Sequence, residues 1–157
     1  MRAQAVSLDI AFAIMVLLLL LALFENSWNA LVARPWQGSA LAQRTLDFLT
    51  ETPGWPMAWN ESNFVMLGLA SVEPGRIEER QLKNLLDADY TKVREALGIA
   101  RYNLYLNLSY VNGSLATAEG ANASYGIWPA NATHIATEQA LVLYKGQRAR
   151  MTVMVWQ

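Results

Sequence analysis

The sequence predicts an α+β protein: a long apolar N-terminal helix, then a small domain of short helices and a three- or four-stranded antiparallel sheet. Three observations carry that expectation. An unbroken apolar run occupies residues 10–24. Two short helical patterns, separated by a pair of aspartates, occupy residues 76–98. Alternation of apolar and polar side chains runs from Tyr102 to Tyr110, and a hairpin pattern follows after residue 134.

Composition limits the function classes. The 157 residues suffice for one ordinary domain. Charged residues make up 16%, against about 25% in an average soluble domain. A net charge of −1 leaves no basic face for a nucleic-acid partner. With no Cys there is no disulfide framework, thiolate metal site or thiol nucleophile, and a single His excludes a multi-His metal centre. The glycines form neither a Gly-x-Gly-x-x-Gly nor a Walker-type loop, so no nucleotide cofactor is expected.

The apolar excess lies at the front. With Ala5, Val6 and Leu8 the run reaches about twenty residues, which as a helix rises about 30 Å and suits a bilayer core. Arg2 and the amino terminus precede it, so the expected topology is single-pass in the cell membrane, with a cytoplasmic N-terminus and an extracellular C-terminal domain. A cleaved secretory signal fits less well, because the run ends Leu-Phe-Glu-Asn-Ser-Trp rather than at an Ala-x-Ala-like site. A helix buried in a soluble core fits least, since the run is apolar on every side. Asp9 stands at its edge. A carboxylate there must be neutralised, paired or held at the lipid headgroups, and its place in the first turns, near the positive dipole end, is the simplest account.

Five Asn-x-Ser/Thr sequons follow, at Asn60, Asn107, Asn112, Asn122 and Asn131. Ten Asn and sixteen Ser or Thr in a chain of this length would give about one by chance. None has Pro in the middle, so all five are candidate N-glycan acceptors.

The remaining elements read in order. Residues 27–48 are helical in pattern, with Leu31, Leu41, Thr45 and Phe48 loosely on one side and a break at Pro35 and Gly38. Trp28 and Trp36 suit either headgroups or packing. Thr52-Pro-Gly-Trp-Pro-Met-Ala-Trp59 is a rigid loop, and residues 64–69 read as a short buried strand. In the first of the two short helices, Ile77, Leu82, Leu85 and Leu86 give the apolar side, and Glu79 precedes Lys83 by four residues. Asp87 and Asp89 offer caps for the second, Tyr90, Val93 and Leu97 its buried stripe, and Gly98 its stop. Tyr102 to Tyr110 is the clearest strand. Residues 114–133 read as a polar loop. Residues 135–144 and 148–156 form a hairpin around Lys145-Gly146-Gln147, with Met151, Val153 and Val155 on one face and Thr152, Met154 and Trp156 on the other.

No catalytic constellation emerges. His134 stands in a polar loop, and Glu78-Glu79 and Asp87/Asp89 fall where acids cap helices, so catalysis is not expected. Of the six Trp, Trp55 and Trp59 are the candidates for surface contact with glycans or a partner; the others suit packing and anchoring.

Arg2-Ala3-Gln4-Ala5-Val6-Ser7-Leu8-Asp9, directly before the apolar run, resembles the class III signal sequence of archaeal type IV pilin-like proteins. The loop from Thr52 to Trp59, Gly68-Leu69 and the helices before the strand are similar to the ectodomains of that group, so the likeness spans about the first 110 residues. The family has Gly before the cut where this chain has Ala3, and Glu at the fifth mature position where Asp9 would be sixth. The resemblance implies cleavage between Ala3 and Gln4 by a prepilin peptidase, retention of the apolar helix, and pairing of Asp9 with the new amino terminus of a neighbouring subunit. It divides the chain into a leader at 1–3, a membrane or filament-core helix at 4–26, a helical stalk at 27–50 and a domain at 51–157. The expected function is a structural pilin-like subunit of a type IV-like surface filament, with membrane lipid, further copies or other pilin-like subunits, and glycans as partners. The alternative is a single-pass anchored binding module that does not polymerise.

Overall fold

The structure, a computed structural model, describes residues 14–25 and 37–157. The chain divides into two units, the second being Gln37–Gln157.

In the first unit, residues 14–25 form a helix, α1. Its large apolar side chains, from Ile14 to Phe24, are all between 42% and 67% exposed. A helix of that length rises about 18 Å, well short of the ~30 Å of a bilayer core. Among the described residues no helix is long and apolar enough to cross a membrane. The expected long transmembrane helix, and the single-pass placement in the cell membrane that followed from it, are therefore corrected: composition suggested a span that the described helix lacks the length to make. The rest of the 4–26 segment lies outside the described residues, as do Trp28, Leu31, Pro35 and Trp36.

The second unit begins with α2 (Gly38–Glu51). Ala42, Thr45, Leu46 and Leu49 recur at three- and four-residue spacing and are buried, so one stripe of the helix faces the core. That stripe packs against β6 (Ile135–Tyr144) and β7 (Gln147–Trp156). The hydroxyls of Thr50 and Thr52 donate back to the carbonyls of Leu46 (2.9 Å) and Phe48 (2.7 Å), and Pro53 then stops the helix.

The loop after α2 is fastened by its backbone. Trp55 N–H donates to Met66 O (2.8 Å), Leu69 N–H to Leu49 O (2.9 Å) and Ala70 N–H to Thr52 O (3.0 Å). Residues 64–69 therefore form no strand of a sheet, contrary to expectation; their hydrogen bonds go to this loop and to the end of α2. Gly68 is required here, because a Cβ would lie 2.2 Å from Thr52 O and 2.4 Å from Gly54 N.

The next segment holds β1 (Arg76–Ile77), α3 (Glu79–Asp87) and α4 (Tyr90–Ala96). Leu82 and Leu85 bury one side of α3. Asp89 caps α4, its carboxylate accepting from Lys92 N–H at 2.9 Å. Gly98 takes φ +70° just beyond it, the left-handed conformation that ends helices. The expected Glu79–Lys83 pair is absent: Lys83 pairs with Asp87, and Glu79 reaches Lys145.

The sheet has five strands in the order β1-β6-β7-β2-β5, where β2 is Asn103–Tyr110 and β5 is Ser124–Gly126. β1 runs parallel to β6 and the other pairs are antiparallel. This corrects the expected three- or four-stranded antiparallel sheet. The two additional strands hold two and three residues, too few to display a period of two. A separate ribbon, β3 (Thr117–Ala118) with β4 (Ala121–Asn122), replaces part of the expected loop. The register places Leu104, Leu106 and Leu108 opposite Val155, Val153 and Met151, and all six are fully buried against the helices. Burying such side chains contributes about 1.5–3 kcal/mol each, so this inner face anchors the unit.

Candidate functional site

Among the described residues of the Gln37–Gln157 unit, no helix covers the outer face of the same sheet, and it is the candidate functional surface. Alternation decides what it displays: Asn103, Tyr105, Asn107 and Ser109 from β2, Arg150, Thr152, Met154 and Trp156 from β7, and Thr137, Gln139 and Leu141 from β6. The strands place no carboxylate there. Past β5 the chain turns back along this side. Ile127 N–H donates to Leu104 O (3.0 Å), and the Trp156 indole donates to Ile127 O (3.3 Å). Trp128 then stands edge-on to Tyr105, with ring centroids 5.0 Å apart. Trp128 is 58% exposed, Ile127 49% and Ile135 47%. The result is a surface mainly of amides and hydroxyls, with the cation of Arg150 across from Ser109 and an aromatic cluster at one end. Such a mixture suits a ligand with apolar C–H faces and hydroxyl rims.

Gly126 makes the turn possible. Its φ is +91°, and a Cβ would lie 2.1 Å from Leu104 O. Any side chain there would push β5 off β2 and displace the segment that carries Trp128.

The sequons fall into distinct settings. Asn60 and Asn112 open Asx turns, their side-chain oxygens accepting from the backbone N–H of Ser62 (3.0 Å) and Ser114 (3.0 Å) and from the same serines' hydroxyls at 2.8 and 2.7 Å. Asn122 and Asn131 are exposed, and the Thr133 hydroxyl of the latter's sequon donates to Gln157 O (3.1 Å). Asn107 is half-buried in the centre of the outer face, between Ser124 and Thr152.

Of the two tryptophans expected at the surface, Trp55 is 63% exposed, whereas Trp59 is 1% exposed. The Trp59 indole donates to Pro53 O (3.2 Å) and Gly68 O (3.0 Å), and its ring meets Phe64 edge-on at 5.9 Å. It is a core residue that closes the loop. Trp55, four residues earlier, stays on the loop, where its carbonyl accepts from the Val65 N–H at 2.9 Å. Ala3, Gln4 and Asp9 lie outside the described residues.

A second polar cluster joins α3 to the β6–β7 turn. Lys145 Nζ sits 2.6 Å from Glu79 Oε1 and donates to Thr117 O (3.2 Å), to which the Tyr144 hydroxyl also donates (2.8 Å). Glu79 accepts in addition from Glu119 N–H at 3.0 Å. The Lys145 hydrogen bond, then that of Glu119, lowers the Glu79 carboxyl below its ordinary value, and the same pairing raises Lys145. Burial raises the Tyr144 hydroxyl. All the groups are satisfied within the fold, so the cluster is a fastening. Among the described residues no group of three or more His, Cys, Asp or Glu could hold a metal ion.

The aromatic surface was not singled out from sequence, although its signal was there. The polar side of each strand pattern contains Tyr105 and Trp156, and Trp128 is an aromatic in an otherwise polar stretch. No family model, curated protein or solved structure matches the chain.

Proposed function

We propose that the chain is a pilin-like structural subunit. Its apolar N-terminal segment is covered by the same segment of further copies or of other pilin-like subunits, and the Gln37–Gln157 unit carries N-linked glycans. The observation that carries the reading is α1, where every large apolar side chain from Ile14 to Phe24 is exposed. A helix apolar on all sides needs cover on all sides, and like helices supply it. The resemblance of residues 2–9 to class III signal sequences adds a prepilin peptidase acting between Ala3 and Gln4, and Asp9 as the charge that pairs with a neighbour's new amino terminus.

The absence of Cys makes the reading testable. Leu18 and Leu20, two residues apart, face opposite sides of α1. In a bundle, Leu18→Cys and Leu20→Cys each form disulfide-linked pairs of copies in the native assembly, and the mature chain begins at Gln4. In a simple dimer only one of them cross-links. A chain that keeps Met1, elutes as a monomer and cross-links from neither position overturns the proposal. Asp9→Ala is expected to lower recovery of the chain in the high-molecular-weight fraction.

A further inference from the structure

Tyr105 and Asn107 lie two residues apart on β2, so both side chains leave the sheet on the same side. Their neighbours across the sheet are modest in size. Tyr105 is flanked by Met154 and by Gly126, which has no side chain, and Asn107 by Thr152 and Ser124. The Tyr105 ring is met edge-on by Trp128, and Trp128, Ile127 and Ile135 are about half exposed. Among the described residues the Asn107 carboxamide takes no hydrogen bond from or to protein. Ser109, the hydroxyl residue of its sequon, shares the same face.

We propose that Asn107 carries an N-linked glycan whose first sugar lies back along β2 over Tyr105 and against Trp128, so that the protein's own glycan covers the open face of its sheet. The inference rests on reading the sequons as glycan acceptors and assigns one of them a structural role. Two residues along a strand span about 6.5 Å, and a pyranose ring attached to the amide bridges that step. Its C–H face carries partial positive charge and meets the negative faces of the aromatic rings. Its rim hydroxyls meet Asn103, Ser124 and Thr152, which are polar and uncharged. The stretch from Asn107 to Tyr105 is uncharged, with Arg150 lying on the other side of Asn107, across from Ser109, so a neutral sugar is the occupant it fits. Attachment forms a bond from Asn107 Nδ2 to the anomeric carbon of a sugar delivered on a polyprenyl phosphate or diphosphate. The anomeric C–O bond breaks, the lipid phosphate leaves with the electron pair, and the amide gives one proton to the transferring enzyme's base. No redox change occurs.

The test uses full-length protein from its own cells, read by glycopeptide mass spectrometry, acrylamide quenching of tryptophan and thermal unfolding. The Asn107 peptide is expected to carry a glycan. Asn107→Gln and Ser109→Ala, two changes at different atoms, each remove it, raise tryptophan quenching and lower the melting midpoint by about 2–8 °C. Ser109→Thr keeps all three properties. An unmodified Asn107 in protein whose other sequons are occupied overturns this inference and leaves the subunit function standing. Five unmodified sequons overturn it together with the acceptor reading. An occupied Asn107 whose loss changes neither quenching nor midpoint overturns the cover.

Discussion

The rings of Tyr105 and Trp128 meet edge to face, with centroids 5.0 Å apart and planes at 89°. One ring rises from a central strand and the other from the segment that leaves the edge strand, so the contact ties that segment to the sheet. Pairs of this geometry contribute about 0.5–1.5 kcal/mol beyond area burial. Trp128→Ala is expected to lower unfolding stability by about that amount, read from urea titration, while Trp128→Phe retains most of it.

Trp59 should behave quite differently from the exposed Trp55. It is fully enclosed and donates to two carbonyls. Trp59→Ala leaves a cavity and is expected to cost about 3–5 kcal/mol. Trp59→Phe keeps most of the volume but leaves those carbonyls without a donor, at about 1–3 kcal/mol. Trp55→Ala should stay within about 0.5 kcal/mol of wild type. The same denaturant series ranks all three.

Gly68→Ala tests the close approach of two backbone segments. The new Cβ would meet the Thr52 carbonyl at 2.2 Å and Gly54 N at 2.4 Å, atoms that no rotamer change can move aside. A loss of at least about 1–3 kcal/mol is expected, with the loop between Pro53 and Gly68 becoming the first site of limited proteolysis.

The Glu79–Lys145 pair makes a pH-dependent contribution with a defined sign. The Lys145 hydrogen bond lowers Glu79 from its ordinary value of 4.5, so its contribution is complete above 4.5 and declines as acid protonates the folded carboxyl. Lys145 is raised from 10.5, so its share is complete below 10.5 and declines as alkali deprotonates the folded amine. The stability difference between wild type and Glu79→Gln should thus be flat between those limits and shrink on either side. A difference that grows with acidification below 4.5 would contradict the assignment.

Local pattern made much of this fold legible. The period of two placed β2, and the hairpin pattern placed β6 and β7 and grouped Met151, Val153 and Val155 on one face, which is the buried one. The aspartates at 87 and 89 separated α3 from α4. What escaped was decided by partners distant in sequence. Ile77 pairs with Tyr144 and Tyr125 with Leu106, contacts that give two- and three-residue strands no local signature. Hydropathy could not tell Trp55 from Trp59, because the difference lies in whether Gly68 presents a carbonyl to the indole. The apolar run was legible as apolar, but its composition overstated the helix, which among the described residues is α1. The sequon at Asn107 was plain in the sequence. Its position beside an exposed aromatic cluster depended on the turn at Gly126, which no pattern announces.

The order of the sheet also constrains when it can form. β2 pairs along its full length with β7, yet everything from Val111 to Gly146 must be made before that partner exists. At roughly 5–20 residues per second of synthesis, β2 waits a matter of seconds with its outer and inner sides both in water. Asn107 ends half-buried only once Thr152 lies beside it, so the interval before β7 arrives is when its amide is most open to an enzyme. The centre of this sheet is assembled late, so the modification proposed for β2, the strand beside the central β7, would be a race against folding.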